Sequence, residues 1–371
     1  MPDATPLLLL NPARRHDTTG TRPPARPGAP IAFHRRLPGY TATRAVDAPS
    51  LAADIGVSSL AIKDEAGRLG MPSFKILGAS WAVYRLLVTR LGHEPDWRDL
   101  DELRVEFASL GPLTLVAATD GNHGRAVAHM ARLLGYDSHI LVPAGTARAR
   151  IDGIASEGAS VTVVDGTYDD AVRASAELAA DRALVVSDTS WDGYTEVPAD
   201  VIDGYTTIFA ELDDQLPEPP DLVVVPMGVG ALTAAAVEHY AAIATIVAIE
   251  PLSAACGLRS AEAGHPVLVA GPHDSIMAGL NCGTVSPIAW PTVSRGVDVF
   301  VAVGDQAAEQ AMRDLATVGV VAGETGAAAL AGLRAVVAAD VVPTRGARAL
   351  VLCTEGATDP SAYERIVGHA P

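Results

Sequence analysis

Leu222-Val223-Val224-Val225-Pro226-Met227-Gly228-Val229-Gly230-Ala231-Leu232 is the run whose reading decides the fold. Its first five residues are continuously apolar and mostly β-branched, the pattern of a strand covered on both faces in a parallel sheet. Met227 to Leu232 reads as a glycine loop, and 232–242 as a helix. Such a loop turns successive backbone N–H groups toward the positive end of a helix, a seat for a phosphate. It is not a dinucleotide fingerprint, because the third glycine of that pattern would fall at Thr233. Nor is it a nucleotide P-loop, because no Gly-Lys-Ser/Thr follows.

The same alternation extends outward in both directions. Strands are expected at 59–62, 113–118, 138–142, 160–164, 184–187, 246–249, 298–303 and 349–353. Helices are expected at 77–91, 125–134, 148–157, 168–181, 305–318 and 325–339. Strands alternating with helices imply parallel sheets with helices on both faces, and ligands at the carboxyl ends of the strands. The chain thus reads as α/β, with two doubly wound parallel-sheet domains. The larger is expected from 1–79 and 188–371, and the smaller from 80–187. Residues 1–32 read as an extended arm, since Thr21-Arg22-Pro23-Pro24-Ala25-Arg26-Pro27-Gly28 has no periodicity.

Composition excludes several functions. The 371 residues carry 27 Lys+Arg against 44 Asp+Glu, a net charge of −17. That balance argues against nucleic acid and against an anionic membrane surface as partners. Three cysteines and no C-x-x-C pair make neither a disulfide framework nor a zinc site, so no metal is expected. Leu7-Leu10 is too short for a secretory h-region, and no run reads as a spanning helix. The expectation is a soluble, cytoplasmic protein. Only two of the cations are lysines, Lys63 and Lys75. Arginine stays protonated and forms no Schiff base, so any amine chemistry has two candidates.

Three loops besides the glycine loop carry chemistry. Phe74-Lys75 stands just before a helix in partly apolar surroundings, where burial lowers an amine's pKa and frees it to attack an aldehyde. Taken alone, Lys75 is equally an ordinary solvated lysine. Thr119-Asp120-Gly121-Asn122-His123-Gly124 lies between a strand and a helix, with glycines that let a ligand approach closely. Taken alone it is as much a helix cap, and His123 reads as a packed or solvated helix residue. Thr354, after the last strand, offers a neutral hydroxyl to a ring nitrogen; in isolation it is a polar turn.

In this order the pieces resemble the fold-type-II family of pyridoxal-phosphate enzymes, and within it the ammonia-lyases acting on 2,3-diaminopropionate. The resembling stretches run from about residue 33 to the C-terminus. They include Leu37-Pro38-Gly39-Tyr40, Ile62-Lys63-Asp64-Glu65, Phe74-Lys75 with Leu77-Gly78, Ala118 to Arg125, and Asp188-Thr189-Ser190-Trp191-Asp192-Gly193-Tyr194. Gly228-Val229-Gly230-Ala231, Glu250-Pro251, Met277 to Gly283, Gly323-Glu324-Thr325-Gly326 and Thr354 to Pro360 complete the set. The resemblance implies pyridoxal 5′-phosphate in an interdomain cleft, held covalently by Lys75. Phe74 would flank it, Asn122 would bond its phenolic oxygen, and the amides of Gly228, Val229, Gly230, Ala231 and Leu232 would hold its phosphate. Thr354 would face its pyridine nitrogen.

Asp120 stands where serine and threonine dehydratases of the family usually carry Ser. A carboxylate there can pair with a β-ammonium and act as a second base opposite Lys75. Lys75 is therefore expected to serve L-diaminopropionate and Asp120 the D form, with Asp188 orienting the substrate's amino groups. The expected products are pyruvate and two ammonia. A serine/threonine-type dehydratase, or a lyase of a related β-substituted amino acid, is the alternative. A non-catalytic binding protein on the same fold would differ by forming no coloured adduct. The family also implies a homodimer. Cys256 and Cys282 are expected as free thiols.

Overall fold

A computed structural model describes residues 5–15 and 28–371. The chain divides into two compact units. One gathers Ala42–Gly67 and Ile208–Pro371 with residues 5–15; the other gathers 28–41 and Arg68–Thr207. This differs from the expected boundaries at 79/80 and 187/188. The reason is local: the helix Lys75–Leu91 is continuous through residue 79 and packs on the helix Asn122–Leu134.

The first unit is built on a seven-stranded sheet. Its order is Leu7–Leu10, Val299–Val303, Thr245–Pro251, Leu222–Pro226, Arg348–Cys353, Ser59–Asp64 and Ala45–Asp47. The five inner strands are parallel and the two edges antiparallel. Leu222–Pro226 lies at the centre and is buried at every position, as its β-branched run predicts. Val224 pairs in register with Val247 on one side and Val351 on the other. The helix Glu324–Ala339 packs on the inner strands, and Leu330, Leu333 and Val336 seal that face.

The second unit carries a four-stranded parallel sheet in the order Ser160–Val164, Asp137–Pro143, Thr114–Ala118, Ala183–Val185. The same unit holds an aromatic cluster of Phe33, Trp81, Tyr84, Trp97 and Phe107, with ring centroids 4.6–6.2 Å apart.

Two expectations need correction. The N-terminal segment is not all extended arm: Leu7–Leu10 is an edge strand and Ala29–His34 a short helix with proline in its first turn. The Thr21–Pro27 part of that expectation lies outside the described residues. The second is the long helix Glu196–Gln215, which the sequence reading passed over. Its apolar stripe, Val197, Val201, Tyr205, Ile208 and Leu212, is buried. Pro198 and Gly204 look like breakers. In fact Pro198 stands in the first turn, where no intrahelical N–H is lost. At Gly204 a Cβ would stand 2.5 Å from the Leu77 carbonyl oxygen, and at Gly78 2.5 Å from the Tyr205 ring. The two helices meet glycine to glycine, and that contact fixes the start of Lys75–Leu91.

Candidate active site

Lys75 and Asp188 pair within the second unit. Lys75 is the first residue of its helix, and its Nζ donates to Asp188 Oδ2 at 2.6 Å. Its side chain is 16% exposed and that of Asp188 5%. The Phe74 ring lies 5.5 Å from the amine and 4.7 Å from the Tyr205 ring. The second Asp188 oxygen accepts from the Tyr168 hydroxyl at 2.8 Å. Tyr168 opens its own helix behind a capping box of Thr167 and Asp170.

The charge state of the amine is not the one expected from burial alone. Burial lowers the Lys75 pKa, but the Asp188 carboxylate outweighs it, helped by Tyr205 and Asp120, so the net shift is upward. Burial likewise raises Asp188, and Lys75 overrides it to leave the carboxyl below its usual range. A neighbouring opposite charge beats desolvation here. The free amine is held as an ammonium.

The Asp120 loop is shaped by sterics. Gly121 has φ +149°, and Thr119 Oγ1 accepts from its N–H at 2.9 Å. At Gly124 a Cβ would stand 2.4 Å from the Thr119 methyl and 2.5 Å from Ile140, so the helix Asn122–Leu134 can approach its strand only there as glycine. Asn122 begins that helix, and Asp120 acts on the Lys75 amine by its charge. His123 is 1% exposed and its Nε2 donates to the Val186 carbonyl at 2.8 Å. Burial lowers its pKa, so it is a packed neutral imidazole.

The glycine loop and Thr354 belong to the first unit. The loop leaves the central strand and enters the helix Ala231–Tyr240 through Gly230 at φ +94°, with no side chain capping the helix. At Gly228 a Cβ would meet the Gly279 carbonyl at 3.1 Å and Cys282 Sγ at 3.2 Å, so a side chain there has little room. Thr354 is 2% exposed, and its hydroxyl is buried without a hydrogen-bond partner. Protein interiors rarely leave such a group orphaned.

The other lysine is spoken for. Lys63 is fully buried, and its three N–H groups go to the Thr43 carbonyl at 2.8 Å, Glu211 at 2.7 Å and Gln215 at 2.8 Å. Tyr168, Tyr194 and Tyr205 are the residues around Lys75 and Asp188 that sequence reasoning missed as site residues. Tyr194 stood inside a quoted motif; Tyr205 was hidden in the overlooked helix. No group of three or more metal-ligating side chains occurs among the described residues.

The family model for pyridoxal-phosphate-dependent enzymes matches residues 36–355. The chain belongs to that family, an α/β fold with parallel sheets. More particularly, it is 32% identical over 357 residues to the diaminopropionate ammonia-lyase of Escherichia coli K12, covering 90% of this chain and 89% of the relative. A crystal structure of the Escherichia coli diaminopropionate ammonia-lyase in complex with D-serine matches with a TM-score of 0.90 at 30% identity, over 98% of this chain and 97% of that one. The same enzyme in complex with an aminoacrylate–PLP azomethine reaction intermediate matches with a TM-score of 0.86 at 30% identity and the same coverage. The residues present fit the family's cofactor. A phosphate suits the uncapped glycine loop, and a ring nitrogen suits the orphaned Thr354 hydroxyl.

Proposed function

We propose that the chain is a carbon–nitrogen lyase that converts 2,3-diaminopropionate and water to pyruvate and two ammonia. Lys75 would hold pyridoxal phosphate through its amine, with Phe74 beside it and Asn122 on its phenolic oxygen. The amides of Gly228, Val229, Gly230, Ala231 and Leu232 would hold its phosphate, and Thr354 its ring nitrogen. When bound, the cofactor supplies the electron sink that makes the substrate α-hydrogen acidic.

The chain's own groups move the protons. Lys75 Nζ takes the α-proton of the L substrate, and an Asp120 oxygen takes that of the D substrate. The Cβ–N bond then breaks: the β-ammonium already holds three hydrogens and departs as ammonia, the α-proton remaining on the base that took it. Asp188 holds Lys75 and the substrate's amino group in place. The observation that carries the reading is the Lys75 amine bonded to Asp188 at 2.6 Å with Asp120 acting on the same nitrogen. Two carboxylates around one amine suit a substrate that brings two ammonium groups.

The deciding experiment measures pyruvate and ammonia from L-diaminopropionate, D-diaminopropionate and L-serine. Two ammonia per pyruvate and a strong preference for diaminopropionate are expected. A large preference for serine, with one ammonia per pyruvate, would replace this reading with a dehydratase. The three buried cysteines, none of them in a disulfide, suit a reducing cytoplasm. No described helix is long and apolar enough to cross a membrane. A homodimer is proposed on family resemblance, testable by light scattering.

A further inference from the structure

Parallel pairing of Ala183–Val185 with Thr114–Ala118 ends where Val186 N–H donates to the Val116 carbonyl at 2.7 Å. The next two residues, Ser187 and Asp188, are still buried, at 1% and 4% exposure. A buried backbone beyond its last sheet partner needs substitutes for the lost bonds. Tyr194 provides two. Its hydroxyl accepts from Ser187 N–H at 3.0 Å and donates to the Val185 carbonyl at 2.8 Å. His123 binds the carbonyl between them.

The phenol returns to this place because Trp191 to Tyr194 is a tight turn. Tyr194 N–H donates to the Trp191 carbonyl at 2.9 Å and Trp191 N–H to the Tyr194 carbonyl at 3.3 Å. Gly193 sits at φ +79°, a conformation few other residues adopt. The indole and phenol rings stack at 4.1 Å with 10° between their planes. Few rotatable bonds separate these rings from the backbone, so the turn is stiff.

We propose that Trp191 and Tyr194 form a clasp that sets where Asp188 leaves the sheet and so how its carboxylate meets Lys75. Tyr194 is thereby a positioning residue of the reaction, and Trp191 its support. The inference rests on the functional reading above, in which Lys75 carries the cofactor.

The test uses the cofactor-loaded protein and three variants. The pH midpoint of the cofactor's visible absorbance reports the charge beside the nitrogen of Lys75. The titratable groups facing the Lys75–Asp188 pair are Asp120, Tyr168, His123, Tyr205 and Tyr194. The first four are left intact, and Tyr194, whose phenol burial pushes up, carries no charge to lose in Tyr194→Phe. Asp188→Asn should lower the midpoint by roughly one unit or more. Tyr194→Phe keeps the ring stack and loses both bonds, and should lower it by about half a unit. Trp191→Leu keeps the hydroxyl and should move it less, in the same direction. In the cofactor-free chain, exchange of the Ser187 amide should quicken by about fivefold or more in Tyr194→Phe. Unchanged midpoints in both turn variants, while Asp188→Asn shifts, overturn the clasp. So does a Ser187 amide that exchanges as in wild type. A wild-type chain that takes up no cofactor overturns the functional reading instead, and is recognised before any variant is made.

Discussion

Lys63 and Lys75 make the same ion pair in two different places. Each Nζ lies 2.6–2.7 Å from a buried carboxylate. Lys63 is the last residue but one of the strand Ser59–Asp64, is wholly enclosed, and has every N–H bonded to protein. Lys75 opens a helix, keeps some exposure, and shares one carboxylate with Tyr168 while Asp120 and Tyr205 act on it. Burial and pairing alone therefore do not tell the two amines apart. What differs is whether the amine has a bond to spare and a second charge that could take over its proton.

The largest effect that would break this comparison is at Lys75. Lys75→Ala should abolish the borohydride-reducible colour and lower lyase turnover by at least about 10⁴-fold, since nucleophile and base are both lost. A coloured adduct retained in this variant would point to Lys63 and erase the distinction. The converse is Lys63→Met, expected to keep the colour while costing about 3–5 kcal/mol in denaturant unfolding, because the buried Glu211 carboxylate loses its ammonium partner. Pairing it with Glu211→Leu should restore much of that loss.

Asp120→Asn sharpens the comparison inside the site. Turnover of D-diaminopropionate should fall by about 10²–10⁴-fold, and that of the L form far less. Equal losses would remove the two-base scheme. The smallest effect concerns a buried carboxyl bonded mainly to backbone amides, with the Arg259 charge a lesser influence. Glu250 Oε1 and Oε2 accept from Gly257 and Leu258 N–H at 2.6 and 2.8 Å. Burial still outweighs these bonds and pushes its pKa up to about 7 from 4.5. Below the lower value both states hold the proton. Above it the unfolded chain releases the proton first, so stability falls as pH rises toward 7 and then levels. The fall is on the order of 3 kcal/mol at most. Glu250→Gln should flatten that limb of a stability-against-pH curve; an unchanged slope would show that burial does not raise this group.

Much of the framework was legible in the residues. The β-branched run 222–226 is the buried central strand, and the loops at 119–124, 227–231 and 354 follow strands as read. Periodicity suffices there because a parallel sheet buries both faces and leaves no choice of register. It did not suffice for Glu196–Gln215. Gly204 reads as a breaker from its neighbours in sequence, but is a glycine because the helix of Lys75 crosses it.

The order of the motifs by itself determined the family, the two candidate amines and the candidate carboxylates, because functional groups and their spacing are written in the chain. Tertiary structure alone decided which lysine is saturated, that Asp188 with Tyr205 and Asp120 outweighs burial at Lys75, and that Tyr168 bonds Asp188 while Tyr194 bonds the backbone just before it. Those are sums of desolvation and Coulomb attraction over residues far apart in sequence, and they take a value only when folding brings the groups within a few ångströms.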